Sequence, residues 1–318
     1  MGSEAAAQTK LEDLSGIVLQ PGENPYAAFI RACDDDHNVI RTLYDTHRTK
    51  RNAQQKAKFL SADYTGLSID QHLLKLETDP AFRDERHCLV FWARPPSHII
   101  DLAVHLQKLL RKSAPNVWLM PTYRMHMTTL ELAFCKTPEE IADLVSTLRT
   151  SMVSVASYTH THRTRLVRPT ISYDLSAFAL SFLPAAETDA VASPPPSAPD
   201  TAVDVVRNDA YSYHHLRRDI FDSVQRAGVE VGSRYQVPSA HITLGRYLTD
   251  EDHDTPDKRR AWVQAIDHVN AWLEKDVWDA RDARFLGEWM VGQERGLDMR
   301  AGTLWYGAGR TITMGEGF

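Results

Sequence analysis

Cysteine is scarce in this chain, and its spacing excludes two kinds of cysteine-based architecture. The three cysteines, Cys33, Cys88 and Cys135, are odd in number, widely separated and free of C-x-x-C pairs. A disulfide framework or a thiolate zinc site needs more cysteines at closer spacing. This usage is typical of a reducing compartment, so we expect a cytoplasmic protein, with the nucleus as the alternative.

Long apolar runs and an excess of positive charge are also lacking. No apolar run approaches the ~18 residues of a membrane helix, and "MGSEAAAQTK" has no apolar signal-peptide core, so we expect no membrane partner. The formal net charge of −6 gives no general attraction to nucleic-acid phosphates. We therefore expect no duplex DNA partner, and a substrate that is a small nucleotide or an RNA terminus. The sequence leaves the oligomeric state open.

Helical and strand patterns alternate along most of the chain and predict an α+β fold. Residues 1–86 are polar with helical spacing and predict a helical N-terminal extension. Residues 87–318 predict the main domain, in two lobes at about 87–184 and 204–318. Between the lobes, residues 185–203 contain three consecutive prolines and much alanine and serine, which predicts a flexible loop.

One order of elements occurs twice within the main domain. The strand-like segment "RMHMTTLELAF" is followed by a helix start at Thr137-Pro138, and "SAHITLGRYL" by another at Thr255-Pro256. Each strand carries a histidine and a threonine two residues apart. The repetition predicts two pseudo-symmetric lobes whose antiparallel sheets line a central cleft, with helices outside.

The H-x-T spacing alone is a weak signal, because it occurs five times. The five histidines are His47, His126, His162, His241 and His253. His47 lies in a basic helical segment, where a solvated role is expected, and His253 lies in a charged turn in which Thr255 is expected to cap the next helix. His162 forms an H-x-H pair with His160, but no nearby Asp, Glu or Cys completes a ligand set, so we expect no metal.

His126 and His241 differ from the other three because they lie in apolar strand patterns. In a regular strand alternate side chains share a face. The side chains grouped in this way are His126, Thr128, Leu130 and Leu132 in one strand, and His241, Thr243, Gly245 and Tyr247 in the other. Each histidine then stands about 7 Å from its threonine along the strand. One such strand alone favours a structural histidine; two in matching contexts favour a functional site.

The two motifs resemble those of the two-histidine (2H) phosphoesterase superfamily, which carries a pair of H-x-[ST]-x motifs on symmetry-related strands. The matching residues are "HMTT" at 126–129 and "HITL" at 241–244. The first motif departs from the family pattern at Thr129, where an aliphatic residue is usual. The resemblance covers the organisation of residues 87–318. The N-terminal extension and the proline-rich segment lie outside the family core, so substrate preference does not carry over.

The resemblance implies hydrolysis of a 2′,3′-cyclic phosphate on a nucleotide or RNA end, without a metal or other cofactor. His241 is then the general base and His126 the general acid, in roles that reverse with the direction of attack. Thr128 and Thr243 hold the phosphate oxygens. Alternatives on the same fold are an RNA 2′–5′ ligase, a 3′-end-trimming ribonuclease, or a nucleotide- or protein-binding relative without turnover.

Three further residues are candidates for substrate contact. Tyr247 shares the predicted face of His241 and could stack on a base or line the cleft, as could Tyr123 in the loop before the first motif. Arg124 shares the parity of His126 and could reach phosphate, whereas Arg246 points to the other face of a regular strand. For each of these residues, packing or a surface ion pair is an equally good expectation.

Overall fold

The fold is described from a computed structural model that covers residues 17, 19–20, 22–186, 189, 209–232, 237–278, 280 and 284–318. Within these residues helices are combined with antiparallel sheets, so the predicted α+β fold is confirmed. The segment predicted as a flexible loop at 185–203 lies outside the described residues, apart from residues 185, 186 and 189.

In the described part of the chain, three helices precede the first strand. They are α1 (Pro25–Ala32), α2 (His37–Leu60) and α3 (Gln71–Thr78). Each begins after a side chain that accepts hydrogen bonds from its first N–H groups, namely Asn24, Asp36 and Asp70. Buried aromatic residues of α1 and α2, such as Tyr26 and Phe59, pack into the same core as the sheets. The segment is helical as expected, and its status as a separate extension stays a prediction.

Nine strands and five further helices follow in the described ranges. The strands are β1 (His87–Ala93), β2 (Trp118–Leu119), β3 (Met127–Lys136), β4 (Arg165–Tyr173), β5 (Ala177–Pro184), β6 (Ala240–Arg246), β7 (Trp289–Met290), β8 (Leu297–Gly302) and β9 (Arg310–Met314). The helices are α4 (Ser97–Leu110), α5 (Pro138–Thr147), α6 (Met152–Ala156), α7 (Tyr213–Arg226) and α8 (Pro256–Asp276). Both helix starts expected at Thr-Pro pairs are present, with Thr137 and Thr255 as the capping residues of α5 and α8.

The strands form two antiparallel sheets with matching centres. The first sheet has the order β3-β1-β8-β9 and the second has the order β2-β6-β5-β4-β7. In each, the strand of one H-x-T motif lies beside a central strand, so β3-β1-β8 corresponds to β6-β5-β4. The sheets cross the predicted lobe limits: β4 and β5 join the second sheet, and β8 and β9 return to the first.

One open edge of the second sheet is covered by two asparagine side chains from different helices. Ile171 of β4 donates its N–H to Asn270 Oδ1 of α8 at 2.7 Å. Its carbonyl accepts from Asn52 Nδ2 of α2 at 2.9 Å. Unpaired edge groups would otherwise need water or another strand. The side-chain amides of Asn270 and Asn52 therefore satisfy the backbone groups of Ile171 at this edge, and Asn52 attaches α2 to the sheet.

Both motif strands contain a β-bulge at the fourth residue of the motif. In the first sheet, Trp92 pairs with Thr128 and Phe91 with Leu130, which leaves Thr129 as the extra residue. In the second, Ala179 pairs with Thr243 and Phe178 with Gly245, which leaves Leu244 as the extra residue. A bulge reverses the face that later side chains occupy.

The bulges correct the side-chain grouping expected from regular strands. His126 and Thr128 do share the face of Trp92, but Leu130 turns to the core beside Phe91. After Leu244, Gly245 likewise lies on the core face, against the ring of Phe178. The physical reason is the added residue, which sequence alternation does not reveal.

Gly245→Ala is expected to destabilise the fold, because an added Cβ would overlap the Phe178 ring and lie 2.6 Å from the carbonyl oxygen of Trp118. We expect the free energy of unfolding to fall by about 1–3 kcal/mol. The matched control is Gly232→Ala, where the nearest atom to the added Cβ is 3.5 Å away. Urea unfolding measures both variants, and equal stability of the two would contradict the crowding at Gly245.

Candidate active site

The two motifs, distant in sequence, meet where the two sheets approach each other. His126 directly precedes β3 and Thr128 lies within it, while His241 and Thr243 lie on β6. Thr128 and His241 line one cavity together with Arg217, Val237 and Ser239. The site therefore combines residues of both sheets.

His126 is held by an aromatic stack and by one hydrogen bond. Its ring lies flat on the indole of Trp92, with the centroids 3.7 Å apart and the planes inclined by 17°. Nδ1 lies 2.7 Å from the carbonyl oxygen of Arg124. Because a carbonyl can only accept, Nδ1 carries the proton, and Nε2 of the neutral ring has a free lone pair. No described residue hydrogen-bonds to that Nε2.

His241 is held in a corresponding way. Its Nδ1 shares a 2.9 Å hydrogen bond with the hydroxyl of Ser239. In both halves of the site the partner of Nδ1 is therefore the residue two positions before the histidine. Among the described residues nothing hydrogen-bonds to Nε2 of His241, so both rings keep this nitrogen for a ligand.

The motif threonines supply two hydroxyl groups beside the rings. Thr128 lies opposite Trp92 across the β3–β1 ladder, and Thr243 lies opposite Ala179 across β6–β5. Both side chains are half-buried, and no hydrogen bond between described residues uses either hydroxyl. Each can donate to an anion placed at the adjoining histidine.

Burial and nearby arginines keep both imidazoles neutral. Burial, then Arg94, His241 and Arg300, lowers the pKa of His126 to about 3, although the bond to the Arg124 carbonyl opposes this. Both rings are thus unprotonated near pH 7 and ready to accept a proton.

For His241 the lowering again begins with burial. The charges of Arg51, Arg217 and Arg246 add to it and Asp174 opposes them, so the pKa of His241 is about 4. A bound phosphate carries the opposite charge to these arginines, so it favours the protonated ring. Only with an anion in the site can one histidine act as an acid while the other acts as a base.

The three candidates for substrate contact, Tyr123, Arg124 and Tyr247, lie in different environments. Tyr123 is 74% exposed, on a single 3-10 turn directly before the first motif. Arg124 is half-buried; its carbonyl holds His126, and its guanidinium lies 5.4 Å from the Tyr123 ring. The Tyr123 ring is thus exposed just before the first motif, and its contact with substrate stays a prediction.

The expectation that Tyr247 contacts substrate is wrong in this structure. Its side chain is 1% exposed and packs among Phe178, Trp262 and His253. The bulge at Leu244 turns it to the core, and for the same reason it brings Arg246 to the site side. Arg246 accordingly acts on the pKa of His241.

Sequence reasoning missed the residues that support the rings. Trp92 lies in an apolar run, which predicts a core residue. The Cζ atoms of Arg94 and Arg300 lie 4.9 and 5.2 Å from the centroid of its ring. Asp298, which is 1% exposed, accepts from Arg94 Nε at 2.9 Å. The alternation of β1 and β8 carries a weak signal for this group, because Trp92 and Asp298 are direct partners across the ladder.

The described part of the chain lacks two features, a metal-binding cluster and a membrane-spanning helix. No group of three or more His, Cys, Asp or Glu side chains there is arranged to hold a metal ion. No helix within that part is both long and apolar enough to cross a bilayer. His160 and His162, the possible metal pair, make separate contacts, with the Gly317 carbonyl and the Tyr158 ring respectively.

Comparison with known proteins gives a likeness among solved structures alone. No protein-family model matches the chain, and no curated protein matches its sequence. Among solved structures it is similar to E. coli LigT in its apo form, at 13% identity and a TM-score of 0.33, over 73% of this chain and 97% of that one. The function has therefore to be inferred from the site itself.

The charge state of the two rings gives a test by NMR. In the free protein the Cε1–H signals of His126 and His241 should not titrate near the ordinary histidine pKa of about 6.5, but only in more acidic solution. A nucleoside 2′-monophosphate should raise the pKa of at least one ring, because its charge stabilises imidazolium. Spectra of His126→Gln and His241→Gln assign the signals. Titration of either ring near 6.5 without ligand would contradict the electrostatics described.

Proposed function

We propose that the protein is a phosphodiesterase of the 2H type that hydrolyses 2′,3′-cyclic phosphates on nucleotides or RNA ends. The observation that carries the proposal is one cavity lined by Thr128 of the first motif and His241 of the second, on two different sheets. In each motif Nδ1 is held by the chain and Nε2 is left for the reaction. This arrangement suits proton transfer at both ends of a phosphodiester.

The reaction needs one proton removed and one proton supplied. His241 Nε2 takes a proton from water as the water oxygen bonds to phosphorus. As the bond from phosphorus to one ribose oxygen breaks, protonated His126 gives that oxygen a proton, and the product is a phosphate monoester. Attack from the opposite side exchanges the two roles, since the motifs are pseudo-symmetric.

Charge on the non-bridging oxygens rises during the attack. The hydroxyls of Thr128 and Thr243 are placed to donate to those oxygens, and the surrounding arginines favour the added negative charge. Two imidazoles, two hydroxyls and a positive field complete the chemistry, so no step requires a metal or a redox cofactor.

Tyr123 favours a nucleotide over a simpler phosphodiester. An exposed ring three residues before His126 provides a surface on which a base can stack. RNA 2′–5′ ligation and 3′-end trimming would use the same residues, and analysis of the products separates them from hydrolysis of a cyclic phosphate.

Replacement of either motif histidine tests the proposal. In EDTA, the intact protein should hydrolyse nucleoside 2′,3′-cyclic phosphates, and His126→Ala and His241→Ala should each lose about 10²–10⁴-fold in kcat/KM. The matched control is His162→Ala, which removes a histidine of another H-x-T sequence outside the site and should leave the rate unchanged.

Product analysis on oligonucleotides ending in a cyclic phosphate completes the experiment. The proposal predicts a terminal monoester on a strand of unchanged length. Shortened strands would indicate trimming, and joined strands would indicate ligation. Binding without turnover, unaffected by either alanine substitution, would instead indicate a non-catalytic relative.

A further inference from the structure

Each bulged carbonyl accepts a hydrogen bond from a buried side chain on a helix that precedes the other motif strand. We call these two side chains, Gln107 and Arg217, the carbonyl clamps. Gln107 on α4 donates from Nε2 to the carbonyls of Leu244 and Met120, at 2.8 and 2.9 Å. The clamp thus joins the bulge of the second motif to the chain just before the first.

Arg217 on α7 makes the corresponding contacts in the other half. Its Nε donates to the Thr129 carbonyl and one terminal nitrogen donates to the Val237 carbonyl, both at 3.1 Å. It joins the bulge of the first motif to the chain just before the second. The two clamps are therefore equivalent in position, but one is neutral and the other carries a positive charge.

The surroundings of Arg217 solvate its charge without removing it. The side chain is 1% exposed, and its other terminal nitrogen donates to the Tyr26 hydroxyl at 3.0 Å. Burial raises the pKa of neighbouring Tyr213 to about 12, and raises that of Tyr44 as well, so these phenols stay protonated. Neutral oxygens accept its hydrogen bonds and leave the guanidinium charged.

The charge lies at the cavity shared by the two motifs. Arg217 lines it together with Thr128, Ser239 and His241. It is among the charges that lower the pKa of His241, after burial and Arg51 and before the opposing Asp174, with Arg246 adding to it. Because the nitrogens of Arg217 donate to the protein itself, they act on a ligand through the field.

We propose that Arg217 is a positioning residue that supplies a fixed positive potential under the phosphate held by Thr128 and His241. The proposal rests on the function proposed above, and it adds an asymmetry to a site whose histidines and threonines are symmetric. Both carbonyl clamps can hold a bulge in place. Of the two, Arg217 carries a charge that can act on a phosphate, and Gln107 does not.

Arg217→Gln separates the two roles, because it copies the neutral clamp of the other half. We expect the variant to fold, the Kd for inorganic phosphate to rise by about 10–100-fold, and kcat/KM to fall by a comparable factor. The pKa of His241, measured by NMR, should rise. Arg217→Lys, which restores the charge, should return phosphate affinity to within about threefold of the intact protein.

The neutral clamp provides the matched control. Gln107→Met removes the amide but keeps a side chain of similar length. It should lower the melting temperature, while the Kd for phosphate stays within about twofold of that of the intact protein. Phosphate affinity and a His241 pKa unchanged in Arg217→Gln would overturn the proposal. So would a folded Arg217→Lys that binds phosphate as weakly as the glutamine variant, or an intact protein that does not bind phosphate.

Phosphate affinity and the pKa of His241 are measured without turnover. If the intact protein binds phosphate but leaves cyclic phosphates uncleaved, the proposed function fails while the phosphate titration and the His241 pKa still decide the role of Arg217. If Arg217→Gln does not fold, the lysine variant alone decides between a charge and a purely geometric clamp.

Discussion

Two buried hydrogen bonds to bulged carbonyls, from Arg217 to Thr129 and from Gln107 to Leu244, tie each motif strand to the helix that precedes the other motif strand. A bulge frees a carbonyl from its ladder, and a buried carbonyl without a partner is costly. Arg217 supplies such a partner to Thr129, whereas the Leu244 carbonyl accepts from the backbone N–H of Met120 at 2.9 Å as well as from Gln107. The bonds link the two halves where β3 and β6 are in contact, and Thr128 and His241 line one cavity there.

The local field at the site contrasts with the charge of the whole chain. The formal net charge is −6, yet the charges that lower the histidine pKa values are mostly those of arginines from both sheets and from α2 and α7. The net charge of the chain governs the long-range attraction of a polyanion. The binding of a small phosphate ester depends on the charged groups within a few ångström of it. The same arginines that keep the two imidazoles neutral attract an anion, and the charge of the anion favours a protonated imidazole.

The sequence was sufficient to predict the α+β fold, both motif strands and the helices that start at Thr-Pro pairs. These depend on local periodicity and on capping, which short stretches of sequence carry. Tyr247 was misplaced because a bulge at Leu244 reverses alternation, and a bulge has no marker in a strand of apolar residues. Arg217 was missed because its contacts are to carbonyls and a phenol far away in sequence, which no pattern reports. The return of β8 and β9 to the first sheet is a long-range pairing that no local pattern marks.

The most direct test of the paired-histidine account is a double-substitution cycle on kcat/KM for a nucleoside 2′,3′-cyclic phosphate, with His126→Gln, His241→Gln and both together. If the rings act as one acid–base pair, each single variant loses most of the rate, and the double variant is no more than about tenfold slower than the slower single variant. Losses that multiply in the double variant, or a single variant that keeps the full rate, would contradict it.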